Sequence, residues 1–492
     1  MLQLPFKNKR SGNAGNSPTD GLGKNLKDNT DKDSAVDSAN MRWQVISITW
    51  PAFLELVMSS MFGMINMIMV GQLSPAAITA VGLTNQPFML LLAVFAAVNV
   101  GTTTLVAWNI GAGNVEKAAS VTRQIIVVNT VLGIIMSAIG VFFAHEVVVF
   151  MGAQTDTIKD ATVYFQIISS GLLVQAVTMG ITASLRGAGE TKLPMLYNIG
   201  SNLLNVLGNY VLIYGKFGFP KLGVAGAAVS TTGSKILACA FAFWIIYLSN
   251  KSVLSIRHRG TFRLEWNIIR QVFSVGLPAA LEQFVIQGGL TIFARTVSGL
   301  GTTGFAAHQI GLNICGLTFS PSMAFGVAAT TLVGQSLGAN DRSRAEKYAG
   351  IVHHMAIITA CFMGIMFLLF SYPLARLYTQ DLAVAAMASV VLKIMAFAQP
   401  GQSTQLSIAG ALRGAGDTMY PLYASIFGIW IFRVIVAYFF VNLFHWGLTG
   451  AWVALLLDQY TRASIVFSRY RSGKWKSMRS GSAAIKEEIE AC

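Results

Sequence analysis

Two short stretches of the chain, Leu185-Arg186-Gly187-Ala188-Gly189-Glu190-Thr191 and Leu412-Arg413-Gly414-Ala415-Gly416-Asp417-Thr418, are near copies lying 227 residues apart. The same offset relates Pro51 to Pro278, Glu55 to Glu282, Gln175 to Gln402, Pro194 to Pro421 and Gly111-Ala112 to Gly338-Ala339. A constant offset across so many landmarks is the mark of a duplicated unit of roughly two hundred residues. The fold must therefore be two versions of one architecture, and each candidate site residue has a counterpart.

Composition decides what kind of architecture is repeated. Hydrophobic residues make up 54% and charged residues 11%, against about 25% charged in a soluble domain. A soluble fold of this length could not bury so much apolar surface. Glycine (47) far outnumbers proline (12), which suits helices packed closely in lipid. Duplication in such a chain points to a secondary transporter. Cys239, Cys315, Cys361 and Cys492 are scattered, with no metal spacing or disulfide framework. No metal and no cofactor is expected.

Apolar runs long enough to cross about 30 Å of hydrocarbon fall at 43–70, 77–108, 120–144, 158–184, 192–214, 222–249, 268–297, 303–335, 347–371, 383–411, 419–441 and 447–469. The expected fold is an all-α integral membrane protein of twelve transmembrane helices in two six-helix bundles. The expected organisation is a disordered N-tail (1–42), a first bundle (43–249), a linker (250–270), a second bundle (271–470) and a C-tail (471–492). The tail lacks the apolar core of a signal peptide, so the first run doubles as the insertion signal. Lys and Arg crowd the tails, the linker (Lys251, Arg257, Arg259, Arg263, Arg270) and every second loop, whereas the opposite loops hold only Lys159, Lys216, Lys221 and Arg376. Both termini are therefore expected on the cytoplasmic side. The formal charge of +14 then reflects topology rather than a nucleic-acid surface. An even number of helices per repeat relates the bundles by a pseudo-twofold axis along the membrane normal, with a cleft between them.

Glu55 and Glu282 sit four residues after Pro51 and Pro278, about 18–21 Å into their runs at 1.5 Å per residue. A charge at that depth costs about 2.5–3.5 kcal/mol unless paired or hydrated. Such groups are candidates to couple ions, and Na⁺ as well as H⁺ could be held at either; pairing with Lys235, Arg295 or Lys393 is the structural alternative. Asn66 is eleven residues beyond Glu55, about three turns, and shares its helix face. Asn202, Asn205 and Asn209 in the fifth run, with Gln175, Gln283, Gln287 and Gln402, are candidate cavity residues; amides also bridge membrane helices. Arg186 and Arg413 close the fourth and tenth runs, where a cation opposes the helix dipole and the following glycines permit a left-handed exit. With Pro51 and Pro278 they are expected to act as structural hinges. Asp458, Arg462 and Arg433 read as an internal ion pair, and His308 as a packed, hydrogen-bonded histidine.

At these residues the chain resembles the MATE (multidrug and toxic compound extrusion) family, particularly its NorM-like bacterial branch. The resemblance runs from Trp43 to about Trp475. It rests on the doubled Leu-Arg-Gly-Ala-Gly, the paired Pro-x-x-x-Glu, Ile68-Met69-Val70-Gly71, Ala306-Ala307-His308-Gln309 and Gly334-Gln335-x-Leu337-Gly338-Ala339. It implies a V-shaped antiporter of the bacterial inner membrane that exports organic, often cationic, compounds in exchange for H⁺ or Na⁺. The expected partners are small organic cations and membrane lipids, with no nucleic acid and a monomeric state. The chain departs from the family at acids that many relatives carry: Asn66, Asn209, Gln402 and Ile286 stand in their places. A flippase or exporter of one metabolite or lipid-linked precursor is the alternative. No His-Glu-x-x-His, Gly-x-Ser-x-Gly or Walker sequence is present, so an enzyme or a self-contained ATP-driven pump is not expected.

Overall fold

The computed structural model describes residues 22–155, 157–247, 252–254 and 265–477. Contacts divide the chain into two compact units, Met1–Gln44 and Val45–Cys492, and the repeated residues lie in the second. The described residues form fourteen α-helices and no strand: α1 (Leu22–Gly71), α2 (Pro75–Gly111), α3 (Val115–Phe142), α4 (Ala144–Phe150), α5 (Ile158–Ser170), α6 (Leu172–Gly187), α7 (Lys192–Tyr214), α8 (Gly223–Tyr247), α9 (Trp266–Ser298), α10 (Gly301–Gly338), α11 (Arg342–Arg376), α12 (Leu382–Gly414), α13 (Met419–Ser425) and α14 (Gly447–Arg471). Helix α13 continues as π-helix through Ile426–Val436 and Phe439–Leu443.

Nine of these elements are long and apolar enough to cross a membrane, and α5 with α6, bent by 43° at one break, makes a tenth. Helices α7 and α14 have the length, at 23 and 25 residues. Their polar load of Asn198, Asn202, Asn205 and Asn209, or Asp458 and Arg462, holds their hydropathy down. Together they give twelve crossings at the twelve apolar runs. Helix α1 starts at Leu22, so residues 22–42, expected to be disordered, are helical. The run from Lys24 to Trp50 contains neither glycine nor proline, so nothing in it breaks a helix. Residues 1–21 of that tail, Lys251, Arg257, Arg259 and Arg263 of the linker, and residues 478–492 of the C-tail with Cys492 lie outside the described residues. Arg270 belongs to α9 rather than to the linker.

Within the first repeat α6 packs on α2 and α3, and α8 on α5, α6 and α7; within the second, α12 packs on α10, α11 and α14. The bundles meet where α2 lies against α9 and α10. The α2–α10 crossing is symmetric about Gly111 and Gly338. A Cβ on Gly111 would overlap the carbonyl oxygen of Gln335, and one on Gly338 that of Trp108. Only glycine lets two helix backbones come so close.

Candidate functional site

The two glutamates are set in matching frames. Glu55 Oε1 accepts hydrogen bonds from Arg186 Nη2 at 2.9 Å and Asn198 Nδ2 at 2.7 Å. Glu282 Oε2 accepts from Arg413 Nη2 at 2.7 Å, and its Oε1 from Ser425 Oγ at 3.1 Å. Asn198 and Ser425 occupy equivalent places in the repeat, as do the two arginines. Both carboxylates are buried, Glu282 almost completely, and Glu55 Oε2 has no protein partner. The bases expected as partners, Lys235, Arg295 and Lys393, are not those that bond them. Helical side chains lean toward the N-terminus of their helix. Arg186 and Arg413, each one residue from its helix end, therefore reach back into the bundle instead of outward.

Between the bundles lies a cavity of about 330 Å³, lined by Glu55, Gln175, Arg186, Asn198 and Lys235 from the first repeat and by Met323, Val327, Leu406 and Arg413 from the second. A smaller space of about 130 Å³ shares Gln175 and Lys235 and adds Phe88, Met89 and Tyr164. Glu282 stands behind Arg413, outside the lining of the larger space. The lining therefore carries three basic groups and one carboxylate, and that carboxylate is already paired.

Lys235 is the odd member. Its repeat counterpart, Arg462, lies 2.9 Å from Asp458, which Arg433 also grips at 2.6 Å. The counterpart of Asp458 is Thr231. The second bundle thus kept an acid for its base, as expected for that trio, while the first has none at this place. In the second bundle, Gly428 of the π-helical stretch makes room for the pair, since a Cβ there would lie 2.6 Å from Asp458 Oδ1.

Most of the amides join helices. Asn209 Nδ2 donates to Asn66 Oδ1 at 2.6 Å, and Asn205 to Ser230 and Thr231 at 3.3 and 3.1 Å. Asn202 reaches Ser59 at 3.2 Å, and Gln287 reaches Gln86 across the α2–α9 contact at 3.1 Å. Gln283 is exposed, and Gln402 is buried with its Oε1 lacking a protein partner. Of the expected cavity set, Gln175 lines the space beside Glu55, and the others do not. His308 is buried and packed edge-on against Phe293 and Trp452; its Nδ1 lacks the hydrogen bond expected of it.

The duplicated turns form a second feature. Gly189 and Gly416 take the left-handed conformation, with φ of 88° and 84°, as the helix-exit reading requires. The last carbonyls of α6 and α12 are bonded by the opposite bundle. Thr331 Oγ1 donates to Arg186 O at 2.8 Å and Gln335 Nε2 to Gly187 O at 3.0 Å. Reciprocally, Thr104 Oγ1 donates to Arg413 O at 2.9 Å and Trp108 Nε1 to Gly414 O at 2.8 Å. The neighbouring threonines tie each bundle internally: Thr103 donates to Ala183 O and Thr330 to Gly410 O. The acids of the turns anchor other segments. Glu190 binds Ser252 Oγ and Val253 N–H, and burial pushes its carboxyl above the ordinary carboxylate range despite those bonds. Asp417 binds Arg469 at 2.6 Å.

This arrangement has relatives. The MatE family model matches twice, over residues 51–211 and 278–439, repeating the internal offset. A Thermotoga maritima protein named "Probable multidrug resistance protein NorM" is 32% identical over 439 residues, covering 89% of this chain and 93% of that one. The Pseudomonas aeruginosa "Multidrug resistance protein PmpM" is 27% identical, covering 91% and 95%. A crystal structure of MATE in complex with MaD3S superposes with a TM-score of 0.83 at 22% identity, covering 89% and 97%. An outward-facing MATE transporter of the MOP superfamily gives 0.83 at 21%, covering 89% and 96%. The doubled family match, the twelve crossings in two bundles and the cavity between them agree: the chain belongs to the MATE family of multidrug transporters and is a multi-pass membrane transporter, not an enzyme.

Proposed function

We propose that the protein is a secondary antiporter that exports amphipathic organic compounds by alternating access, with H⁺ as the coupling ion. The observation that carries this reading is the pair of buried carboxylates, Glu55 and Glu282, each held by an arginine at an equivalent place in the two repeats. A proton can neutralise either acid without needing a coordination shell. A sodium ion at either carboxylate would sit against a guanidinium, and that repulsion favours H⁺ over Na⁺. The positive-inside distribution supports cytoplasmic termini in a bacterial inner membrane, which puts the bonded ends of α6 and α12 on the cytoplasmic side. The cavity then faces outward in this conformation. Exchange of one proton for a monovalent cation moves no net charge. An exchange whose charges do not balance also draws on the membrane potential, about 2.3 kcal/mol per charge per 100 mV.

The test is dye efflux from proteoliposomes with the pH, sodium and electrical gradients imposed one at a time. Export should follow the pH gradient, and Glu55→Gln or Glu282→Gln should lower it on the order of tenfold or more, about 1.4 kcal/mol. Unchanged pH-driven export in both variants overturns the assignment.

Lys235 favours a second reading, of the substrate itself. An organic cation was the expectation, but it would meet one occupied carboxylate, two arginines already paired with glutamates, and Lys235, which no carboxylate among the described residues bonds. A compound with an acidic group on an apolar body would instead find Lys235 beside Met179, Met323 and Val327. Comparing efflux of a fluorescein-type carboxylate with an ethidium-type cation checks this. The carboxylate should be preferred, and Lys235→Met should abolish the preference while Lys235→Arg keeps it. Preferred export of the cation by the unmodified protein returns the substrate to the cationic class.

A further inference from the structure

We infer that Arg186 and Arg413 are relays that join the charge state of Glu55 and Glu282 to the closure between the two bundles. The inference rests on the proton-coupled reading above. Each arginine is held at both ends. Its guanidinium bonds a carboxylate of its own bundle at 2.9 or 2.7 Å, and its main-chain oxygen accepts a threonine hydroxyl of the opposite bundle at 2.8 or 2.9 Å. The next residue repeats the crossing, with Gly187 bonded by Gln335 and Gly414 by Trp108. Among the described residues, Asn198 and Ser425 also bond Glu55 or Glu282 through their side chains, but neither is hydrogen-bonded to the opposite bundle.

The physical consequence follows from what each bond is worth. A hydrogen bond to an ionised carboxylate is roughly twice as strong as a neutral one, so a charged glutamate fixes where the helix end sits. A protonated glutamate loses the Coulomb attraction to the guanidinium and offers it only a neutral carboxyl oxygen, so the end of α6 or α12 is held less firmly against Thr331 or Thr104. Moving leaves little behind unsatisfied. Arg186 O also accepts the Gly189 N–H and Arg413 O the Gly416 N–H, each at 2.9 Å, so the carbonyls stay bonded within their own turns after the cross-bundle bonds break. Thr103 and Thr330 meanwhile keep each helix end tied to its own bundle. The bundle then moves as a body. Charged glutamates close this end; protons arriving from the opposite side open it, and their loss closes it again around the cargo.

The test uses full-length protein in lipid nanodiscs, with the native cysteines replaced and spin labels at the exposed positions Lys117 and Lys347, one on each bundle. The inter-label distance should lengthen on acidification in the parent protein. Glu55→Gln with Glu282→Gln should show the long distance already at neutral pH. Thr104→Val with Thr331→Val should lengthen it at every pH and remove the pH response. Thr104→Ser with Thr331→Ser keeps the hydroxyls and should behave as the parent, which separates loss of the bond from loss of fold. A pH response that persists in the valine pair overturns the relay. So does a distance that ignores pH while pH-driven efflux continues, and in that case the export reading survives. Loss of pH-driven efflux from the parent protein itself would instead strike the coupling reading.

Discussion

Asp458→Asn should destabilise the protein by about 3–5 kcal/mol, the cost of removing one partner from a buried ion pair. The expected size comes from the count of charges. Asp458 is fully buried and serves two guanidiniums, Arg433 at 2.6 Å and Arg462 at 2.9 Å. Asparagine keeps the volume but leaves two cations in the interior of the second bundle facing one neutral amide. The remaining acceptor near Arg462, Gln459 Oε1 at 3.0 Å, cannot neutralise either. The measurement is thermal unfolding in detergent, followed by loss of the monodisperse peak. A sharp fall in Tm is expected, with partial recovery when Arg433→Met is added, because that removes one of the stranded charges. An unchanged Tm in Asp458→Asn would mean that the trio contributes nothing to the stability of the bundle.

Gly111→Val should strip the transporter of its closed state. The valine Cβ would overlap the Gln335 carbonyl oxygen, a backbone atom that no rotamer change can move. Helices α2 and α10 must then separate at the point where Trp108 and Gln335 make their cross-bundle bonds. Overpacking of this kind costs about 1–3 kcal/mol, so the closed population should fall by roughly five- to 150-fold. Dye efflux should drop in proportion, and the Lys117–Lys347 label distance should stay long at every pH. Gly316→Ala, on the same α10 helix but with nothing within 4 Å of its Cβ, is the control and should export normally. Normal efflux by Gly111→Val would show that this crossing is not part of the transport cycle.

The legible part of the chain was the part fixed by period and repetition. Twelve apolar runs became twelve crossings, including α7 and α14, whose polar residues sit on helices long enough to span. The offset that exposed the duplication also paired Glu55 with Glu282 and Arg186 with Arg413. It did not join glutamate to arginine, because they are 131 residues apart in each half and the arginines lie at helix ends. The backward lean of helical side chains was the signal that could have joined them. Asn198 and Ser425 escaped because they differ in identity, although they act on equivalent carboxylates. The amides were ambiguous for a physical reason: the same group that lines a wet cavity also bridges two helices in a dry one, and only the packing chose the second role for Asn66, Asn205 and Asn209. Helicity from Leu22 was obscured by polar composition, which says where a segment can be solvated but not whether it coils.

Trp108 and Gln335 share almost no chemistry, one a large indole and the other a short amide, yet each presents one N–H to the glycine carbonyl that ends the other half's helix. What the two copies have inherited in common at this place is a donor, not a residue. Because all four acceptors are main-chain oxygens, none depends on the chemistry of its own side chain. The glycines are fixed by packing alone, since a Cβ on Gly187 would lie 2.6 Å from Thr103 O and one on Gly414 would overlap Thr330 O. Drift in one half can therefore be answered by any side chain in the other that delivers a hydrogen to the same spot. This is how two halves can diverge widely in sequence and still close on each other.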